Sequence, residues 1–343
     1  MRNLAATYRP TKLEDVVGQE QAKAILTTHL ASKPKSSYLF CGGAGTGKTT
    51  CARIFARSLN KSDFNIIEIN AADNTGVDGV RKIITDASRV PIGTQYKIFV
   101  LDECHMLSNQ AWNALLKLIE EPPDSVVFLF CTTDPHKIPG TILSRVLRVD
   151  FRRIDLNLIV KRLTWILEQE HASPIDEASL KYIAQLANGG MRDAISLLDK
   201  VLGYGVEVTP ELINTALGLI GEDTSYQLLT YIMQNDVTST LNMLDKLCSN
   251  SVDCRTWLLD FRRFVMKVLR VMLQTNTDQI ALSAELIEKI QKLPKRVEYL
   301  RLVDVLSRIC RDMVTESDPV TRLQIEFIKL AGDLKWYTPV KPN

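Results

Sequence analysis

Apolar runs of strand length recur through the first half of the chain, at residues 37–41, 65–69, 97–101, 126–131 and 147–151. Between them lie longer stretches with apolar positions at helical spacing, at residues 49–59, 77–87 and 110–119. This alternation predicts a parallel five-stranded sheet covered by helices. Beyond Arg153 the strand-like runs stop. Ile159, Leu163, Ile166 and Leu167 fall at helical spacing, as do Leu180, Ile183, Ala184 and Ala187, which end at the helix stop Gly189-Gly190. Ala194, Leu197, Leu198 and Val201 predict a third amphipathic helix. Two later stripes predict the core of a helical bundle: Trp257, Phe261, Phe264, Val265, Val268 and Met272, then Leu300, Val303, Leu306, Cys310 and Met313. The expected order is an α/β domain over residues 1–153, a small helical domain over 154–219 and an all-helical domain over 220–343.

Composition narrows the function classes. A chain of 343 residues, 45% of them hydrophobic, is too long for one ordinary core and too apolar for wholesale disorder. With 42 Lys and Arg against 40 Asp and Glu, the formal charge is +2. Bulk electrostatics therefore advertise no nucleic-acid partner, although a local basic surface stays compatible with one. No apolar run nears the roughly 18 residues that span a bilayer, and the N-terminus lacks a signal-peptide stretch, so no membrane role is expected. The seven cysteines are scattered without a Cys-x-x-Cys pair. They read as reduced core residues of a cytoplasmic protein, not as zinc ligands or a redox motif.

Two segments carry chemistry. Gly42-Gly43-Ala44-Gly45-Thr46-Gly47-Lys48-Thr49 follows a predicted strand and opens a predicted helix, the context a phosphate-binding loop requires. Its glycines let backbone N–H groups close around phosphate oxygens, and the helix N-terminus adds its dipole. Lys48 is expected on the β- and γ-phosphates of ATP and the Thr49 hydroxyl on Mg2+; Thr50 continues the helix. The strand Lys97–Leu101 ends in Asp102-Glu103. Asp102 is expected in the Mg2+ shell, and Glu103 as the general base that polarises the attacking water. His105 reads as a packing residue at a strand–helix junction, and His29, His136 and His171 have no partners at ligand spacing.

Tyr8-Arg9-Pro10 with Asp15-Val16-Val17-Gly18-Gln19-Glu20 resembles the N-terminal signature of AAA+ clamp loaders. Residues 102–108, 113–117, 120–123 and 132–145 resemble the bacterial DNA polymerase III gamma/tau family, and the third stretch beyond residue 220 matches it only by length and helicity. The resemblance implies an AAA+ domain, a helical lid and a helical collar. It places Tyr8, Arg9, Pro10, Val16 and Val17 around the adenine, and Thr133 at the sensor-1 position. It places Arg145 at the arginine finger, acting in trans on a neighbouring subunit's ATP, and Arg192 at sensor 2. Helix N-termini near Asn74, Thr75 and Gly76 and near Asn109 and Gln110 would face the DNA backbone, helped by Arg81.

The chain departs from the bacterial pattern in three places. The four zinc-binding cysteines are missing, so no zinc is expected. The finger motif reads Ser-Arg-Val with Val146 turned to the core, and the loop 71–78 has some replication factor C small-subunit character. What the resemblance implies is an ATPase subunit of a sliding-clamp loader. It would work with other loader subunits in a pentameric homo- or hetero-oligomer, with the sliding clamp and with primer–template DNA. It would sit near the nucleoid and reach the replicative polymerase only indirectly, since the sequence stops at Asn343 without the longer tail. The alternatives are another DNA-directed AAA+ ATPase, for recombination or helicase loading, and a scaffold subunit of such a complex. The intact Lys48, Thr49, Asp102 and Glu103 argue against the scaffold.

Overall fold

A computed structural model describes residues 3–73, 76–205, 208–217, 221–249, 254–274, 282, 284–293, 298–313 and 318–332. Its strands are β1 (Ser37–Gly42), β2 (Ile66–Asn70), β3 (Lys97–Asp102), β4 (Val126–Thr132) and β5 (Leu147–Phe151). They lie in the order β2-β3-β4-β1-β5, every neighbouring pair parallel. The helices of this part are α1 (Leu4–Thr7), α2 (Glu20–Ala31), α3 (Lys48–Asn60), α4 (Val77–Ala87), α5 (Asn109–Glu120) and α6 (Gly140–Leu143).

Successive side chains of a strand point to opposite faces, so a continuous apolar run feeds two cores. Tyr38, Phe40, Ile98, Val100, Val127, Leu129 and Cys131 pack with Leu26 of α2 and Ile54 and Phe55 of α3. The alternate residues Leu39, Cys41, Phe99, Leu101, Phe128 and Phe130 pack with Val80 and Ile83 of α4 and Trp112 and Leu115 of α5. The second strand starts one residue later than the apolar run suggests. Asn65 takes a left-handed φ of 60° and its side-chain amide donates to Ile92 O (2.9 Å) and Thr94 Oγ1 (2.8 Å), although its carbonyl still accepts from the Ile98 N–H of β3 at 2.8 Å.

The strands are followed by α7 (Leu156–Gln169), α8 (Glu177–Leu186) and α9 (Met191–Leu202). Asp155 caps α7 by accepting from the Asn157 N–H at 2.9 Å, and Asp176 caps α8 by accepting from the Ser179 N–H at 2.8 Å. Gly189, at φ 82°, turns the chain between α8 and α9; a Cβ there would lie 2.6 Å from Arg153 Cβ.

The chain divides into two compact units, residues 1–199 and 200–343. The second is helical among the described residues: α10 (Pro210–Leu217), α11 (Glu222–Met233), α12 (Val237–Ser249), α13 (Cys254–Met272), α14 (Ala284–Gln291), α15 (Glu298–Asp312) and α16 (Pro319–Gly332). The stripe predicted on α13 is buried, with Trp257 and Phe261 meeting Phe327 of α16 at ring separations of 5.8 and 6.1 Å. The stripe predicted on α15 is met in part: Leu306 and Met313 are buried and Val303 and Cys310 pack partly buried against the core. Leu300 is 58% exposed, and the buried face runs through Tyr299, Leu302, Val305, Leu306, Ile309 and Met313. The large ring of Tyr299 takes the interior position and turns its neighbour outward. The boundary expected at 219/220 lies outside the described residues, and no described helix is long and apolar enough to cross a membrane.

Candidate active site

The C-terminal end of β1 delivers Gly42 into the loop that opens α3. Gly45 has φ 70° and Gly47, the N-cap of α3, has φ 105°; both are left-handed values that suit glycine. Gly42 is held by space instead, because an added Cβ would sit 2.3 Å from the Phe151 carbonyl oxygen of β5. Gly42→Ala is therefore expected to destabilise the fold by about 1–3 kcal/mol. Urea unfolding checks this, and an unchanged midpoint would count against a rigid β1–β5 junction.

Lys48 is 6% exposed, and its Nζ donates to Gly42 O at 2.9 Å and Gly43 O at 2.8 Å. Burial holds its ammonium below the ordinary lysine range, while the Glu103 carboxylate works in the opposite direction. The loop thus holds a desolvated cation whose described hydrogen bonds are to backbone carbonyls. A polyphosphate would supply the missing counter-charge. Thr49 Oγ1 donates to Asp102 Oδ2 at 2.8 Å, so the helix start and the end of β3 converge. A hydroxyl and a carboxylate side by side suit Mg2+, a hard cation that takes few protein ligands beside water and phosphate.

Glu103 takes an unusual left-handed φ of 46°, fixed by its N–H donating to Asp102 Oδ1 at 3.0 Å. Thr133, just past β4, donates from Oγ1 to Glu103 Oε2 at 3.1 Å. His105 Nδ1 lies 3.4 Å from the same oxygen. His105 packs at this strand–helix junction, its side chain 12% exposed, and the short turn Cys104–Met106 also brings it to the Glu103 carboxylate.

The N-terminal segment flanks the loop. Arg9 Nε donates to Thr50 Oγ1 at 3.1 Å, and Val16 is buried, its Cγ1 4.0 Å from where a Cβ on Gly47 would be. Pro10 and Val17 are half-buried. Tyr8 is gripped by α7: its hydroxyl donates to Glu170 Oε1 at 2.5 Å, and its ring meets Trp165 edge-on at 5.6 Å. Gln19 was not legible as a site residue. Its side-chain amide donates to Thr46 O (3.3 Å) and Arg152 O (2.6 Å), tying the loop to the exit of β5. The start of α9 meets the loop, with Met191 N–H donating to Gly45 O at 2.9 Å and the Gly190 Cα 3.1 Å from where a Cβ on Gly45 would be. Arg192, next in the chain, is exposed beside it.

Arg145 stands apart. It pairs with Glu120 at 2.8 Å and donates to Thr141 O at 2.7 Å and Ser144 Oγ at 3.0 Å. No described hydrogen bond or ion pair joins it to the phosphate loop. Val146 packs partly buried against the sheet, as expected. Of the DNA-facing candidates, Asn74 and Thr75 lie outside the described residues. Gly76 is the N-cap of α4, Arg81 is exposed on that helix, and Asn109 and Gln110 are exposed in the first turn of α5 behind the Ser108 cap. Cys41, Cys51, Cys104, Cys131, Cys254 and Cys310 are free. Burial pushes the Cys41 thiol up to about 11 and the Cys51 thiol to about 12, which makes them poor nucleophiles. No group of three or more His, Cys, Asp or Glu among the described residues is placed to hold a metal ion.

A family model described as DNA polymerase III, delta subunit matches residues 58–155, and one described as DNA polymerase III clamp loader subunit, ATPase lid domain, matches residues 158–207. The chain is 33% identical over 356 residues to DNA polymerase III subunit tau of Bacillus subtilis, covering 95% of this chain and 62% of that protein. It is 30% identical over 317 residues to the tau subunit of Escherichia coli, covering 85% of this chain and 49% of that protein. It is 34% identical over 288 residues to DNA polymerase III subunit gamma of Buchnera aphidicola from Acyrthosiphon pisum, covering 77% of this chain and 80% of that protein. It therefore spans only half to three-fifths of the tau subunits' length. Among solved structures, the Thermotoga maritima RuvB Holliday junction branch migration motor superposes with a TM-score of 0.52 at 22% identity, over 66% of this chain and 79% of that one. That likeness shows the AAA+ fold and nothing of the substrate. With Lys48, Thr49, Asp102 and Glu103 gathered at one sheet edge and the lid match following directly, the chain belongs to the DNA polymerase III gamma/tau family.

Proposed function

We propose that this chain is an ATPase subunit of a DNA sliding-clamp loader, with an AAA+ domain (residues 1–153), a lid (154–219) and a collar (220–343). The observation that carries the reading is the convergence of Lys48, Thr49, Asp102 and Glu103 beside the lid residues that touch Gly45. Lys48 and the loop amides bind the phosphates of ATP. Thr49 and Asp102 hold Mg2+, which when bound neutralises charge on the phosphate oxygens. Glu103 takes the proton of the attacking water, and Thr133 sets the direction of its carboxylate. Tyr8, Arg9, Pro10, Val16 and Val17 surround the base, and Arg192 reaches the phosphates from the lid.

The first turns of α4 and α5, with Gly76, Arg81, Asn109 and Gln110, offer amides and polar side chains to a DNA backbone without reading its sequence. The partners are other loader subunits in a pentamer, the sliding clamp and primer–template DNA, in the cytoplasm. Steady-state ATP hydrolysis, with and without primer–template DNA and the cognate clamp, tests the reading. The expected result is stimulation that needs both and prefers a primer junction to plain single strands. Brisk hydrolysis driven by DNA alone and indifferent to the clamp would overturn it in favour of a translocating motor.

A further inference from the structure

We propose that His105 is a positioning residue for Glu103, holding its carboxylate through a hydrogen bond from Nδ1–H. The inference rests on the reading of Glu103 as the base of an ATPase site. His105 is nearly enclosed, its side chain 12% exposed. Its Nδ1 lies 3.4 Å from Glu103 Oε2 and 3.2 Å from Thr132 Oγ1. Thr132 is fully buried, and its oxygen already accepts from the Asp134 N–H at 3.0 Å. The ring therefore bridges the residue after β3 and the last residue of β4.

A neutral imidazole carries one N–H. With the proton on Nε2, Nδ1 accepts from the Thr132 hydroxyl at 3.2 Å but also turns its lone pair toward a carboxylate oxygen 3.4 Å away, acceptor against acceptor. With the proton on Nδ1, the ring donates to Oε2 and Thr132 Oγ1 together. An ionised Glu103 thus selects the Nδ1–H tautomer. The partner of one ring nitrogen fixes the state of the other, as at histidines oriented by a carboxylate elsewhere.

Thr133 Oγ1 donates to Oε2, and His105 Nδ1 approaches the same oxygen at 3.4 Å. No described hydrogen bond or ion pair reaches Oε1. The carboxylate is therefore fixed in direction by one oxygen while the other stays available to a water molecule. Without the ring, a flexible side chain hangs on the Thr133 hydroxyl alone. Phosphate binding does not pass through this contact, so its loss lowers kcat and leaves KM for ATP in place.

The first test reads the tautomer. In nitrogen-15 spectra of the nucleotide-free chain labelled at histidine, His105 should be protonated at Nδ1 and should switch to Nε2 in Glu103→Ala. An Nε2–H ring in the wild type, or an Nδ1–H ring that survives Glu103→Ala, overturns the proposal. The second test reads hydrolysis. His105→Leu should lower kcat roughly 10- to 100-fold, the scale of a misaligned reacting group. His105→Asn keeps an N–H donor near Nδ1 and should recover most of the rate. Equal losses in Leu and Asn would reduce His105 to packing and overturn the proposal. If Glu103→Ala itself hydrolyses ATP normally, the base assignment fails, and the spectra still decide whether the contact exists.

Discussion

Lys48→Ala should remove measurable ATP binding while leaving the fold close to its original stability. The expected loss is about 2–5 kcal/mol, roughly one and a half to three and a half orders of magnitude in affinity, the usual result of deleting one partner of a buried charge pair. The two halves of the prediction come from one observation. The Lys48 ammonium is desolvated, and its described hydrogen bonds go to the carbonyls of Gly42 and Gly43. Burial that lowers a lysine's pKa means the folded state disfavours its charge, so the charge adds no stability until an anion arrives. Removing it loses two hydrogen bonds and relieves a desolvated cation, effects of opposite sign. Calorimetric titration measures the affinity, and a melting curve with and without Mg-ATP gives an independent reading. Nucleotide at 100 times the wild-type Kd should stabilise the wild type by about 2.7 kcal/mol and Lys48→Ala by less than about 1 kcal/mol. Normal affinity in the variant would sink the phosphate-loop assignment.

The parts of this site that were legible in the sequence share a property: their chemistry is fixed by residues adjacent in the chain. A loop of eight residues between strand and helix brings its own geometry, and an apolar strand ending in two carboxylates delivers them to the sheet edge wherever the sheet sits. The alternation that separates Tyr38 and Phe40 from Leu39 and Cys41 is local in the same sense, which is why both faces of the sheet could be anticipated. What escaped was set through space. His105 meets Glu103 only because Glu103 adopts a left-handed backbone that no residue type at that position announces. Gln19 reaches Arg152 across 133 positions. On α15 the periodicity was clear but its phase was not, because Val303 and Val305, or Leu300 and Leu302, serve a helical stripe equally well until a partner face selects one set. The roles of Thr133, Arg145 and Arg192 came through family likeness, since a lone threonine or arginine carries no motif.

Arg145→Ala should spare ATP binding and lower hydrolysis by about 10³-fold, the order expected when a charge-stabilising arginine is withdrawn from phosphoryl transfer. The proposed action on a neighbouring subunit's ATP fits where Arg145 lies. Arg145 leaves α6 at its C-terminal end and is held outward by Glu120 at 2.8 Å, with both side chains more than a third exposed. No described contact joins it to Lys48, Asp102 or Glu103. An exposed pair of this kind contributes about 0–1 kcal/mol, so exchanging Glu120 for a triphosphate on a facing subunit costs little. The same weakness predicts that Arg145→Ala folds normally, which separates a catalytic loss from a structural one. Mixing experiments decide the geometry. A Lys48→Ala chain has an intact Arg145, and an Arg145→Ala chain has an intact Lys48, so each is silent alone. In mixed oligomers, a Lys48→Ala subunit beside an Arg145→Ala subunit restores one complete interface if the arginine acts in trans. The mixture should then hydrolyse ATP at a rate that rises and falls with the ratio of the two chains, peaking where unlike neighbours are most frequent. Persistent silence at every ratio, with mixed oligomers demonstrated by mass, would show that Arg145 does not serve the neighbouring site. An unimpaired Arg145→Ala chain would show that no site depends on it.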